Sequence, residues 1–147
     1  METRSRGEIL GETEEKSSEI LDLTGLKGKV TEARANLVRC SDHPPEEEVY
    51  RARHPWSLYD VPAEELEKGM DRLRKQLPGN GWKIVKDGTD GSRARTPQLV
   101  ADFVDGKFSA DIRFLDEREH GDDPSLLEVT VVSACHHIAE EPADDPA

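Results

Sequence analysis

Alternation of apolar and polar residues is clearest over residues 98–114. Two runs with a period of two flank Asp105-Gly106, a dipeptide that favours a tight turn between antiparallel strands. A two-residue turn there sets Val104 opposite Lys107 and Phe103 opposite Phe108, then Ala101 opposite Ala110 and Leu99 opposite Ile112. One face of the predicted hairpin carries Leu99, Ala101, Phe103, Phe108, Ala110 and Ile112. The other carries Asp102, Ser109, Asp111 and Arg113, with Val100 and Val104 among them. A one-residue slip would mix the two sets, so the pattern specifies the register.

The clearest helix is predicted at 62–77. Leu66, Met70, Leu73 and Leu77 form one stripe, and Pro62 suits a first turn, where its missing N–H costs nothing. Glu64 and Glu65 lie early and Arg72, Arg74 and Lys75 late, complementing the helix dipole. Gly69, beside the stripe, would let the helix approach a sheet closely. Trp82 opens a short predicted strand at 82–86, and 87–92 reads as a polar turn. The run 126–135 is the most β-prone in the chain, with Leu127, Val129 and Val131 on one face and Ser133 and Cys135 in phase with them.

Residues 49–59 read as extended, with Pro55 confining them to an edge or a break. Leu26, Val30, Ala33 and Leu37 share a helical stripe, which predicts a helix at 29–39. A strand over 35–41 is the competing reading. Residues 1–20 are polar, contain Gly7 and Gly11, and show no sustained period. They read as a disordered linker, 21–137 as a single domain, and 138–147 as a disordered acidic tail. The predicted fold class is α+β: an antiparallel sheet of four to five strands packed against one or two helices as a two-layer sandwich. Val100, Val104, Leu115, Leu126 and Val132 fall on the second face of that sheet, so the 29–39 helix or another subunit is expected to cover it.

Charge changes the picture at the ends. The net charge is −12 over 147 residues. Residues 1–24 hold seven acids against three bases, and 138–147 hold four acids and no base. The acidity thus belongs mostly to the termini. No basic stripe exists to neutralise phosphates, so DNA and RNA are disfavoured as partners. No run reaches the length of a membrane span, and no signal-peptide pattern is present.

Candidate chemistry is sparse. Cys40 and Cys135 are the two cysteines. They permit one disulfide, which would close a long loop, or two buried thiols, or a reactive thiol or metal ligand. His43 near Cys40, with His136 and His137 beside Cys135, offers a Cys2His2 set of the kind zinc takes, though the spacing fits no known zinc pattern. His54 and His120 read as ordinary strand-edge and loop residues. Tyr50, Arg51, Arg53, Trp56 and Tyr59 interleave aromatics with arginines, the composition of a binding surface. No nucleophile elbow, phosphate-binding glycine loop or dinucleotide motif occurs, so no catalytic residue and no cofactor is expected.

The run RHPWSLYDVPAEELEKGMDRLRKQLPGNGWKIVKDG, with VVSAC far downstream, resembles small exported or lipid-anchored α+β domains of unknown function from high-GC actinobacteria. The resemblance spans about 40–137. It implies an extracytoplasmic setting, secreted or membrane-anchored, with a tether outside this segment, and it favours the Cys40–Cys135 disulfide. The expectation is a non-catalytic binding or protein-interaction domain, a monomer or weak homodimer. Its partner would be an unknown protein or small ligand. The alternative is a zinc-binding protein using Cys and His.

Overall fold

A computed structural model describes residues 2–118 and 124–139. The chain opens with β1 (Thr3–Ser5) and α1 (Arg6–Thr24). Then come β2 (Lys29–Val30), β3 (Asn36–Arg39), β4 (Val49–Tyr59) and α2 (Ala63–Gln76). The remainder is β5 (Trp82–Thr89), β6 (Pro97–Phe103), β7 (Phe108–Leu115), β8 (Leu126–Ser133) and β9 (His136–Ala139). Among the described residues all nine strands belong to one sheet: β8 and β9 follow one another along one edge of β4, β7, β6 and β5 continue outward from β8 and β1 from β9, and β2 and β3 pair along the other edge of β4. Every pair is antiparallel except β1 with β9. Both helices pack on one face.

The architecture is α+β, but the expected antiparallel sheet of four to five strands is too small and of the wrong kind. Nine strands form a mixed sheet. The extra ones, β1, β2, β3 and β9, are two to four residues long. Alternation cannot register over so few positions. The parallel pair β1–β9 joins opposite ends of the chain, Thr3 to His137, and no local pattern announces it.

The hairpin register is as the pattern specifies: Leu99 pairs with Ile112 and Ala101 with Ala110. Its turn is wider than two residues. The strands stop at Phe103 and Phe108, and the Gly106 N–H donates to the Phe103 carbonyl at 2.8 Å. Gly106 has φ +74°, a left-handed conformation that glycine adopts without strain.

No helix forms at 29–39. Gly25, at φ +67°, caps α1, and its N–H donates to the Asp22 carbonyl. The chain then runs back along β4 as β2 and β3, where Lys29 pairs with Tyr59 and Asn36 with Arg53. Pairing to a long neighbouring strand overrides a helical stripe of four residues. Those two short strands also explain Pro55, which sits within β4, an interior strand. Thr31 Oγ1 accepts from the Ser57 N–H, so the odd-numbered N–H positions here face the β2–β3 side. The Pro55 nitrogen faces that side too, in the interval where β3 has ended and β2 has not begun. No ladder bond is lost there.

The expected linker at 1–20 is instead β1 and most of α1. Ile9, Thr13, Ser17, Ile20 and Thr24 are buried on one helix face. Three of these five carry hydroxyls, which hides the stripe from a hydropathy pattern. Each hydroxyl is satisfied: Thr13 donates to the Ile9 carbonyl, Thr24 to the Leu21 carbonyl, and Ser17 bonds His54. Ser5 caps the helix by accepting from the Glu8 N–H. Of the expected tail, Ile138 and Ala139 belong to β9. Residues 140–147 lie outside the described residues, as does His120.

The core lies between the helices and the sheet. α2 contributes Leu66, Met70 and Leu73, with Leu77 just beyond it; the sheet contributes Leu58, Trp82, Leu99, Ile112 and Leu127. Each fully buried leucine is worth roughly 1.5–3 kcal/mol in transfer free energy. Gly69 admits α1's end rather than the sheet: a Cβ there would lie 2.6 Å from Leu26 Cδ1. Arg72 donates to the Thr24 carbonyl at 2.8 Å, placing a cation at α1's C-terminus.

Candidate functional site

Strand alternation decides what each sheet face presents. Ala52, His54, Trp56 and Leu58 of β4 point into the helix layer and are buried. Arg51, Arg53, Pro55, Ser57 and Tyr59 point the other way. On that side no helix of the described residues covers the sheet. The 29–39 helix expected there does not exist, and both observed helices occupy the opposite face.

Register places the outer residues in three rows. Arg53, Val132, Ser109, Asp102 and Lys83 form one. Pro55, Thr130, Asp111, Val100 and Lys86 form the second, and Ser57, Glu128, Arg113 and Gln98 the third. A hollow of about 390 Å3 crosses them, lined by Arg53, Ser109, Asp111, Arg113, Glu128, Thr130 and Val132. A second of about 210 Å3 adjoins it through Ser109 and Val132 and reaches Arg51 and Asp102.

The electrostatics differ along this surface. Asp111 accepts from Gln98 Nε2 at 3.0 and 3.1 Å and from Arg113 Nε and Nη2 at 3.2 and 3.1 Å. Partial burial pushes the Asp111 carboxyl upward, but the Arg113 and Gln98 hydrogen bonds, with the Lys86 charge, hold it below the usual carboxylate range. Arg113 also reaches Asp90 at 3.3 Å. This end is internally neutralised. Arg51 and Arg53 are different: among the described residues neither has an acidic partner. The face holds hydroxyls, carboxylates and guanidinium groups, and among the described residues its hollows contain no histidine or cysteine. The arrangement can bind through ion pairs and hydrogen bonds.

The five residues expected to form a binding surface are split by the strand. Arg51, Arg53 and Tyr59 share the bare face. Trp56 is 4 % exposed in the core. Tyr50 is in phase with Ala52 and opposite buried His136. Grouping them by proximity in sequence ignored the period of two.

Cys40 and Cys135 form a disulfide, with Cα atoms 6.4 Å apart. It joins the end of β3 to the irregularity between β8 and β9. Both thiolates are thereby removed from any zinc set. Two of the expected histidine ligands, His43 and His137, both approach Glu47, but the third does not complete a set with them. His43 lies 3.8 Å from a Glu47 carboxylate oxygen, and His137 Nδ1 is 3.1 Å from the Glu47 carbonyl. His136 is buried beside Glu2, and burial holds its imidazole below the usual histidine value. Among the described residues no three His, Cys, Asp or Glu side chains are placed to hold a metal.

Sequence reasoning missed one buried polar contact. His54, expected at a strand edge, is 8 % exposed and bonds Ser17 at 2.7 Å. Its phase with Ala52, Trp56 and Leu58 was the signal. No helix among the described residues is long and apolar enough to cross a membrane. Comparison with known proteins finds no matching family model, no similar curated protein and no similar solved structure.

Proposed function

We propose that the protein is a non-catalytic binding domain of an extracytoplasmic compartment, and that it binds an acidic protein segment on its bare sheet face. One observation carries the reading. Arg51 and Arg53 stand next to each other on that face, without acidic partners among the described residues, beside two connected hollows, in a chain of net charge −12. Unpaired guanidinium groups take carboxylates in two-pronged hydrogen bonds. Val132 in the Arg53 row, with Pro55 and Val100 in the next, suits apolar side chains flanking such carboxylates. The Cys40–Cys135 disulfide supports an oxidising setting, in line with the resemblance to exported domains.

The test is a titration of isotopically labelled protein with an acetylated peptide of alternating glutamate and valine. Amide shifts confined to Arg53, Ser109, Asp111 and Thr130, and lost in the R51E/R53E variant, are the expected result. Shifts elsewhere, or unchanged shifts in the variant, would overturn the proposal.

A further inference from the structure

A second site lies on the other side of the molecule, where α2 passes the ends of β6 and β7. A groove of about 680 Å3 there is lined by Arg93, Ala94, Arg95 and Arg118, with Glu67 and Asp116 on its rim and Pro97 and Phe114 beneath. A smaller hollow continues it past Met70 and Arg74.

Among the described residues the acids lining this groove, Glu67, Asp71 and Asp116, are each in an ion pair. Arg118 pairs with Asp116 at 2.6 Å and Glu67 at 3.1 Å, and lies 4.0 Å from Glu64. Arg74 pairs with Asp71 at 2.6 Å and Asp87 at 3.1 Å. Arg93 and Arg95 are left over: among the described residues neither has an acidic partner. The loop presenting them is closed by its own backbone. The Asp90 N–H donates to the Thr96 carbonyl at 2.9 Å and the Arg95 N–H to the Ser92 carbonyl at 3.0 Å. The Asp90 carboxylate accepts from the Ser92 N–H at 2.9 Å and pairs with Arg113. Two guanidinium groups thus project from a tied loop above an apolar floor.

We infer that this groove binds a small molecule carrying a phosphate monoester on an apolar body. A monocarboxylate offers one negative charge to two unpaired arginines. A phosphate monoester carries about −1.5 to −2 at neutral pH and presents three acceptor oxygens, enough for both forks. Pro97 and Ala94, over the edge of Phe114, which is only 4 % exposed, then meet the body of the molecule. Arg118 stays committed to its acids at the rim and sets the groove's far wall. The site stands apart from the bare sheet face, so either proposal can fail without the other.

The probe is phenyl phosphate, titrated into the intact chain by calorimetry and by shifts of the Arg93 and Arg95 side-chain N–H signals. The expected dissociation constant is roughly 1 mM or tighter, and tighter than that of inorganic phosphate, which lacks the ring. The R93Q/R95Q variant should bind at least about tenfold more weakly, the loss of one charge-assisted hydrogen bond. The R53Q variant should bind like the wild type. Equal binding by R93Q/R95Q would overturn the site. Sedimentation with phosphatidic acid vesicles, without any response to phenyl phosphate, would overturn the small-molecule assignment.

Discussion

The Ser17 hydroxyl lies 2.7 Å from His54 Nδ1, inside the layer between α1 and the sheet. His54 Nε2 is 2.8 Å from the Ala33 carbonyl, which can only accept, so Nε2 carries a proton, and in the neutral ring Ser17 donates to Nδ1. Three segments distant in sequence are tied by one imidazole. Ser17→Ala leaves a buried acceptor without a donor, at an expected cost of about 1–3 kcal/mol. Urea unfolding of S17A, H54L and the double variant checks this. The double variant should cost less than the sum of the singles, because H54L removes the acceptor that S17A strands. Strict additivity would show that the contact carries no coupling.

The disulfide holds a corner that little else secures. Cys40 donates its N–H to the Val49 carbonyl, and β3 and β9 are short. The cysteines are 95 positions apart, and closing a loop of that length is worth on the order of 4–5 kcal/mol in chain entropy. C40A/C135A should therefore unfold at much lower denaturant concentration. Amide exchange should rise first in β3 and β9, while the β6–β7 hairpin keeps its protection. A loss well under about 1 kcal/mol would show that the corner is held by other contacts.

What the sequence made legible follows how local the determinants are. Leu66, Met70 and Leu73 write α2 in one apolar stripe, and the 98–114 alternation writes the register of β6 against β7, though not the width of their turn. α1 escaped because Thr13, Ser17 and Thr24 spend buried positions on hydroxyls whose partners lie elsewhere in the chain or in the preceding turn. Ser5 followed by Glu8, and Gly25, are the capping signals that would have found it. β2 and β3 exist because β4 offers a free side, which is a tertiary fact. The candidate site was half legible. Arg51, Arg53 and the polar side of the hairpin were visible, but their being uncovered depends on both helices choosing the other face. The pairing of Arg93 and Arg95 is not legible in the sequence, since their lack of acidic partners among the described residues emerges only when Arg118 and Arg74 claim the neighbouring acids.

His136 makes stability depend on pH in a known direction. Its side chain is buried against β1, and neither ring nitrogen has a hydrogen-bond partner among the described residues. Burial favours the neutral ring; Arg4 and Lys107 act the same way, and Glu2 opposes them. The folded value therefore lies below the unfolded one of about 6.5. The unfolded chain binds the extra proton, so this contribution is complete above pH 6.5 and is lost as pH falls through the folded value. Unfolding free energy measured from pH 7.5 to 5 should decline more steeply in the wild type than in H136L. Parallel curves would mean that His136 titrates alike in both states.

Gly69 sets two effects against each other. Replacing it with alanine favours the helix by about 1 kcal/mol. The new Cβ would lie 2.6 Å from Leu26 Cδ1 and 3.2 Å from its Cγ, closer than packed carbons approach. Leu26 is half-buried against the core, so its side chain can turn away only by giving up packing there, and Arg72 on the Thr24 carbonyl holds the backbone beside it. Overpacking of this kind costs about 1–3 kcal/mol. The collision should win, and G69A should be less stable than the wild type by up to about 2 kcal/mol. Removing the obstacle should reverse the sign. In an L26A background the same substitution should stabilise by about 0.5–1 kcal/mol, since only the helix preference remains. Denaturant midpoints of the four proteins decide it, and stabilisation by G69A with Leu26 in place would refute the close contact between α1 and α2.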